Sequence, residues 1–166
     1  MSLEARVAAL ETLVASFNRG SFSYVDLVSK EREREWTPTL TFATPGDLSV
    51  VYSTRIGRFG RGGGWCIAHF SIITSTFTHT TASGDCLVTG VPFTAKSDTG
   101  VEHNSACVWR GITKANFTSV VARIAEGDAQ FKFVISGSGQ AATTVQTGDM
   151  PTGGTVVLRS TIIYRV

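Results

Sequence analysis

The stretch WCIAHFSIITSTFTHT, residues 65–80, decides the fold class, because its apolar and polar side chains alternate with a period of two. In an extended strand, successive side chains point to opposite faces. Two faces follow: Trp65, Ile67, His69 and Ser71 form one, and Cys66, Ala68, Phe70 and Ile72 form the other. We expect a bulge in a strand of this length. The stretch therefore predicts one long β-strand.

The same period begins earlier, after Trp36, where Leu40 and Phe42 share one face of a strand over residues 37–42. Residues 48–59 predict a second strand, which a flexible hairpin tip at residues 60–64 joins to the long one. Turns are predicted at residues 45–47, 83–85 and 153–154, and residues 94–105 are polar and predict a loop. Further strands are predicted over residues 86–88, 107–114, 117–125, 130–135, 141–146 and 155–166. About eight strands without a second helical pattern predict a mostly β fold, an antiparallel sandwich or jelly roll.

Charge is distributed unevenly along the 166 residues. Charged residues make up only 17% of the chain. Residues 1–35 hold 11 of the 28 charged side chains, so the rest of the chain is weakly charged. A weakly charged β-domain suggests that other subunits cover part of its surface. The net charge of +2 favours neither a nucleic acid nor an anionic membrane as partner. The chain has no long apolar run and no signal-peptide pattern. Its odd number of cysteines does not suggest a disulfide framework, so we expect synthesis in a reducing cytoplasm.

The N-terminal segment, residues 1–35, has a helical pattern that begins at Ser2 and breaks at Gly20. Its apolar positions are spaced four and three residues apart, which is the seam of a coiled coil. The candidate trimerisation residues are Leu3, Val7, Leu10, Val14 and Phe17. The alternative is an amphipathic helix that docks on its own β-domain. Residues 21–35 resume the helical pattern and end in alternating charges, which are typical of a solvated connector. Residues 36–166 form the predicted β-domain.

Four short pieces of the β-domain resemble, in the right order, a β-domain common in bacteriophage tail-fibre and spike proteins. The pieces are Trp36–Phe42, Val51–Gly62, Val88–Phe93 and Ile162–Val166. The resemblance implies a homotrimeric, jelly-roll-like knob on a virion. The chain differs from the family at its glycine-rich tip, residues 62–64. Such knobs usually follow a long shaft or a tail-docking domain, so the short segment before residue 36 suits a capsid decoration (cement) protein or head spike better. A trimmed tail-fibre tip is the alternative.

Candidate catalytic groups are scattered. His69 and His79 have no second ligand at metal spacing, and Asp98, Glu102 and His103 form the single place where acids and a histidine meet. Most other acids lie beside turn glycines, and neither a nucleophile elbow nor a phosphate loop is present. The three cysteines are at Cys66, Cys86 and Cys107, a spacing that predicts buried apolar residues rather than a zinc site. We therefore expect no enzyme activity, no cofactor and no metal.

Basic and aromatic residues supply the candidate contact surface. The period of two places Arg55 and Arg61 on one face with Phe59, and Arg58 on the other. These arginines are ordinary surface residues, or they meet acidic groups on a capsid shell or a neighbouring subunit. Trp109 lies in an apolar strand and is expected in the core, whereas Trp65 follows the glycine tip and is expected to be exposed.

The leading hypothesis is a non-enzymatic virion structural protein: a homotrimer that decorates a bacteriophage capsid and contacts the major capsid protein or another virion protein. The alternative is the receptor-binding tip of a tail fibre or spike, which recognises a host surface glycan.

Overall fold

Eleven β-strands and one short helical turn make up residues 33–166, which the structure, a computed structural model, describes together with Val7. The strands are β1 (Arg34–Trp36), β2 (Thr39–Thr44), β3 (Ser49–Gly62), β4 (Trp65–Thr78), β5 (Ser83–Thr89), β6 (Glu102–Ala106), β7 (Val108–Arg110), β8 (Ser119–Ala125), β9 (Phe131–Gly137), β10 (Gln140–Thr144) and β11 (Val157–Arg165). The turn, η1, is a 3-10 helix at Thr147–Asp149. The mostly β fold predicted from the sequence is confirmed.

The strands form two antiparallel sheets. The first sheet has the order β1-β3-β4-β11-β7, and the second has the order β2-β5-β9-β8-β6. Strand β9 pairs with β5 along its first half and with β10 along its second half. All of these pairings are antiparallel, and most of them join strands that are not consecutive in the chain.

The hairpin of β3 and β4 is the longest feature of the first sheet. Cys66, Ala68, Phe70 and Ile72 are fully buried, so the alternation predicted for β4 is confirmed. The register shifts twice near Tyr52, which confirms the expected bulge. The hairpin tip, however, is shorter than predicted. Both strands continue up to a two-residue turn, Gly63–Gly64, whose φ angles of 58° and 79° need residues without a Cβ.

Aromatic side chains from both sheets meet in a shared core. Phe70 of the first sheet stacks on Phe131 of the second, with ring centroids 5.7 Å apart. Phe133 and Tyr164 add edge-to-face contacts to these two rings. The Tyr164 hydroxyl donates a hydrogen bond to the carbonyl oxygen of Phe93 at 3.1 Å, so its burial leaves no lone polar group.

Trp36 closes one edge of this core. Its indole Nε1 donates to the carbonyl oxygens of Arg58 and His69, at 3.2 and 3.1 Å. Gly57 pairs with Trp36 across β1 and β3. A Cβ at Gly57 would lie 2.5 Å from the Trp36 carbonyl oxygen and 2.7 Å from its Nε1, so only glycine fits beneath this ring.

The chain passes between the two sheets at both edges. At one edge β1 belongs to the first sheet and β2 to the second; at the other, β6 belongs to the second and β7 to the first. Ser160 Oγ donates to the carbonyl oxygen of Ala106 at 2.8 Å, and Ser105 Oγ donates to that of Thr161 at 2.6 Å. These two bonds attach the connection between β6 and β7 to β11, which is an inner strand of the first sheet.

Three further sequence expectations differ from the structure. The polar stretch 94–105 contains most of β6, in which the half-buried side chains, His103 and Ser105, are both polar and so give no apolar pattern. The turn predicted at residues 83–85 is the start of β5, where Gly84 has a φ of 86°. Arg34 and Glu35, assigned to the helical segment, form β1 with Trp36. The helices expected within residues 2–32 lie outside the described residues, except that Val7 is helical and exposed.

Candidate functional site

The outer face of the first sheet carries exposed apolar side chains. We use "outer face" for the side chains that point away from the core: Ile56, Arg58, Trp65, Ile67, His69, Ser71, Val108, Arg159, Thr161, Ile163 and Arg165. Four of them are 44% to 64% exposed, namely Trp65, Ile56, Ile163 and Val108. A contiguous patch of exposed apolar side chains marks a surface that other molecules contact, whereas single ones are common on protein surfaces.

Strand register pairs some of the outer-face side chains and separates others. Ile67 lies directly opposite Ile163, and Trp65 lies opposite Arg165. One row of opposite residues crosses β3, β4, β11 and β7, and it consists of Ile56, Ser71, Arg159 and Val108. Side chains directly opposite each other on neighbouring strands are in contact range. The sequence predicted an exposed Trp65, which is confirmed, but it did not predict the apolar neighbours on β7 and β11.

Each of the three candidate arginines has a partner within its own domain. Arg55 Nε donates to the carbonyl oxygen of Pro38 at 2.7 Å. The Arg61 guanidinium lies 4.6 Å from the centre of the Phe93 ring, in the geometry of a cation–π contact. Arg58 pairs with Glu35 at 2.5 Å on the outer face. The predicted separation of Arg58 from Arg55 and Arg61 agrees with these contacts, and a role in partner binding stays a prediction.

Near the hairpin tip, Asp98 and His103 both contact Arg165, whose backbone N–H donates to His103 Nε2 at 3.4 Å, whereas Glu102 is bound elsewhere. Asp98 pairs with Arg165 at 2.5 Å and with Lys96 at 3.1 Å. His103 packs edge-on against Trp65 with centroids 5.8 Å apart, and burial together with the Arg165 charge lowers its pKa. Glu102 pairs instead with Arg123 on β8, at 3.1 Å. In the described part of the chain, no group of three His, Cys, Asp or Glu residues is placed to hold a metal ion.

The cysteines are buried and free, as the sequence predicted. Burial raises the pKa of the Cys66 and Cys86 thiols, and it raises the pKa of Cys107 to about 11. The thiolate is the reactive form of cysteine, so these side chains are not poised as nucleophiles at neutral pH. Trp109, expected in the core, is half-buried and packs against the core from its margin.

A cavity of about 720 Å³ lies at the end of the β3–β4 hairpin that is far from the Gly63–Gly64 turn. We call it the end cavity. Its lining residues are Asp47, Thr78, His79, Thr80, Ala82, Thr147, Gly148, Met150 and Thr152. They come from the β2–β3 turn, the end of β4 and the segment around η1. The sequence did not predict this cavity, since its walls come from three distant parts of the chain.

Asp47 fixes one wall of the end cavity. Its carboxylate accepts hydrogen bonds from the backbone N–H and the hydroxyl of both Thr80 and Thr81, with Oδ1 at 2.7 Å from the Thr81 nitrogen. These bonds, led by the Thr80 hydroxyl, hold the pKa of Asp47 well below its usual range. Gly46 lets the turn approach, because a Cβ there would lie 2.7 Å from the backbone of Thr81 and Ala82.

The η1 turn forms the facing wall. Asp149 Oδ2 accepts a hydrogen bond from the Gln146 backbone N–H at 2.9 Å, and Asp85 Oδ1 accepts one from the Thr144 hydroxyl at 2.8 Å. Thr147 Oγ1 donates to the carbonyl oxygen of Gly84 at 3.0 Å, which ties η1 to β5. Both walls of the end cavity are therefore held by hydrogen bonds between segments.

His79 lies in the wall of the end cavity and is only 6% exposed. Its ring packs edge-on against Phe42 and Phe77, with centroids 5.0 and 5.6 Å away. The Nε2 atom has no hydrogen-bond partner among the residues that the structure describes. The sequence offered one signal for this burial: His79 follows Phe77 by two positions and so falls on the same inward face.

No family model, curated protein or solved structure matches this chain. Within residues 33–166 and Val7, no helix has the length and apolar character needed to cross a membrane. The resemblance to bacteriophage knob domains therefore stays a prediction from the sequence.

Proposed function

We propose that this protein is a non-enzymatic structural protein of a bacteriophage particle, made in the host cytoplasm, that decorates the capsid as a homotrimer. The observation that carries the proposal is the outer face of the first sheet, where Ile56, Trp65, Val108 and Ile163 are exposed. Sister chains and the major capsid protein or another virion protein are its proposed partners. The jelly-roll arrangement, the N-terminal coiled coil and the trimer all belong to this proposal.

The size of the outer face indicates that a second contact is needed. The four exposed side chains are each about half exposed, so covering them would contribute roughly 1 kcal/mol per side chain. Their sum is about half of the roughly 8 kcal/mol that micromolar affinity requires, before any cost of association. The predicted seam from Leu3 to Phe17 supplies the second contact in this proposal. Neither surface alone is expected to hold the trimer at micromolar concentration.

The mass of the protein in solution tests the assembly. One chain has a mass of 17.7 kDa, so sedimentation equilibrium at micromolar concentration should give three times this value. A species of 17.7 kDa would contradict the homotrimer.

A charge placed on the outer face tests which surface is involved. Ile163→Asp should shift the sedimentation mass towards that of one chain, because the carboxylate would have to be buried against a partner. Ala142→Asp is the matched control, since Ala142 is also exposed but lies on β10 of the second sheet. Equal masses for the two variants would exclude the outer face as a subunit contact.

The location of the protein tests its place in a particle. Antibodies against the purified protein should label phage particles at regular positions on the capsid in electron micrographs. Labelling confined to the tail would favour a fibre component, and unlabelled particles would contradict the proposal.

A second candidate function is the receptor-binding tip of a fibre or spike, and the exposed indole of Trp65 is the observation that favours it. Aromatic faces stack on sugar rings, and Trp65 lies beside the polar groups of Arg165 and Asp98. Binding to a glycan array that is lost in Trp65→Ser would support this function. Val51→Ser is the control, because Val51 is exposed far from the hairpin tip.

A further inference from the structure

Beyond Arg159, β11 has a strand neighbour on one side only within the described part of the chain. Strand β4 pairs with all of β11, whereas β7 pairs only with Val157–Arg159. Backbone groups that point away from β4 therefore need other partners wherever water does not reach them. Near the end of β11 these partners lie on β6 and on the segment before it, although β6 belongs to the second sheet.

Side chains of β6 take the place of a strand at this edge. Ser105 Oγ donates to the carbonyl oxygen of Thr161 at 2.6 Å. His103 Nε2 accepts the backbone N–H of Arg165 at 3.4 Å, and the Arg165 carbonyl oxygen accepts the backbone N–H of Lys96 at 2.9 Å. Both backbone groups of Arg165 are therefore bound by segments outside the first sheet. The polar residues at the half-buried positions of β6 thus help to hold the two sheets together.

The bond to His103 differs from the others because its acceptor titrates. A neutral imidazole donates at one ring nitrogen and accepts at the other, so Nε2 accepts the Arg165 N–H only while the proton is on Nδ1. A protonated imidazole donates at both nitrogens and accepts at neither. Protonation would therefore leave two N–H groups facing each other where the neutral ring forms a hydrogen bond.

The surroundings of His103 favour the neutral ring at pH 7. The charged side chains that face it are Arg165 on β11 and Asp98 in the segment before β6. Strand β4 contributes Trp65, which packs edge-on, and β8 contributes Ile124, which lies opposite His103. Burial and the Arg165 charge lower the pKa of His103, and the Asp98 carboxylate opposes them more weakly.

We propose that His103 is a pH-sensitive switch at the hairpin tip. While the imidazole is neutral, it holds the start of β6 against the end of β11, and when it is protonated these two segments separate. Trp65 packs against the His103 ring and lies opposite Arg165, so the separation changes the surroundings of the indole. The bond from Ser105 does not titrate, and it keeps β6 attached two residues further along. The switch does not depend on the function proposed above.

Replacing His103 by glutamine separates the titration from the contact. The amide oxygen of glutamine can take the position of Nε2 and accept the Arg165 N–H at every pH. His69→Gln is the matched control, because His69 is exposed and its Nδ1 lies 3.0 Å from the Thr161 hydroxyl. A hydroxyl group accepts as well as donates, so protonation of His69 does not break that contact. His79 is present in every variant, so its own titration cancels in the comparison.

Amide hydrogen exchange followed by NMR measures the release of Arg165. Protection factors, which correct for the effect of pH on intrinsic exchange, are compared between about pH 7.5 and about pH 5, a range that spans the usual histidine pKa. In the wild type and in His69→Gln, the protection of the Arg165 N–H should fall about fivefold, as expected for the loss of one hydrogen bond. In His103→Gln it should stay constant. The indole signal of Trp65 should shift over the same range only where His103 is present.

Urea unfolding gives a second measurement with a definite sign. Because the pKa of His103 is lower in the folded state, the stability that its neutral form contributes is complete above the unfolded-state pKa of about 6.5 and is lost as the pH falls below it. His103→Gln should therefore gain stability relative to the wild type as the solution is acidified.

Three results would overturn the proposal. The first is an equal loss of Arg165 protection in the wild type and in His103→Gln, since the release would then have another cause. The second is full protection of Arg165 in a wild type whose His103 ring signals show that it is protonated. The third is a His103 ring that stays neutral down to about pH 5. The last two are read on the wild type and need no variant.

Discussion

Replacing Gly57 by alanine should destabilise the domain, because the new methyl group would collide with Trp36. A Cβ at this position lies 2.5 Å from the Trp36 carbonyl oxygen, 2.7 Å from Nε1 and 2.8 Å from Cδ1. Ordinary contacts begin at 3.4 Å, so both the ring and the Trp36 carbonyl oxygen must move by more than half an ångström. Trp36 cannot move freely, since its Nε1 donates two hydrogen bonds and its ring packs against Phe70 and Phe131.

The expected loss follows from these contacts. Overpacking of a core costs about 1–3 kcal/mol. Weakening the hydrogen bonds of Nε1 adds about 1 kcal/mol. We therefore expect the free energy of unfolding to fall by about 3 kcal/mol, which lowers the melting temperature by roughly 10 °C in a domain of this size. Urea unfolding followed by tryptophan fluorescence, with thermal unfolding by circular dichroism, measures both quantities.

Gly60→Ala is the control for this experiment. Gly60 lies on the same strand, and a Cβ there meets no atom within 4 Å. This variant should be as stable as the wild type or more stable by up to about 1 kcal/mol, because alanine loses less backbone entropy than glycine. Equal stabilities of Gly57→Ala and Gly60→Ala would refute the packing argument. A partial recovery in Gly57→Ala combined with Trp36→Phe would show that the indole contributes to the collision beside the Trp36 carbonyl oxygen, which phenylalanine leaves in place.

Two further predictions concern ionisable side chains. The folded-state pKa of Asp47 is lowered, so the stability it contributes is complete above the unfolded-state pKa of about 3.9 and is lost as the pH falls below it. The urea midpoints of the wild type and Asp47→Asn should therefore differ at pH 7 and converge in acid; a constant difference would show that ionisation of Asp47 is not involved. The three buried thiols, Cys66, Cys86 and Cys107, should not react with a chromogenic disulfide reagent until the protein unfolds. Rapid reaction of the native protein would contradict their burial.

The parts of the fold that the sequence predicted are those in which side-chain pattern and burial coincide. Along β4, apolar residues at every second position specify the buried face directly. The Pro45–Asp47 turn was predictable for a similar reason, because proline and glycine have strong local preferences. In β6, with the sequence EHNSA, the half-buried positions hold His103 and Ser105, and the strand depends on pairing with β8. Long-range pairing of that kind leaves no local signal.

In the candidate sites, too, the features set by local sequence were predictable and those set by long-range contacts were not. Exposure of Trp65 followed from its position next to the glycine turn, and the separation of Arg58 from Arg55 and Arg61 followed from the period of a strand. The end cavity was not predictable, because residues near 47, 79 and 148 meet only after both sheets have formed. The pairing of Asp98 with Arg165 likewise joins residues far apart in sequence.

The position of β11 between β4 and β7 has a consequence for biosynthesis. Translation delivers β4 and β7 well before residues 157–165, so a nascent chain carries two strands that lack their shared neighbour. An unpaired strand edge associates readily with other chains. The first sheet can be completed only after residues 157–165 have been synthesised, because β11 fills the gap between β4 and β7.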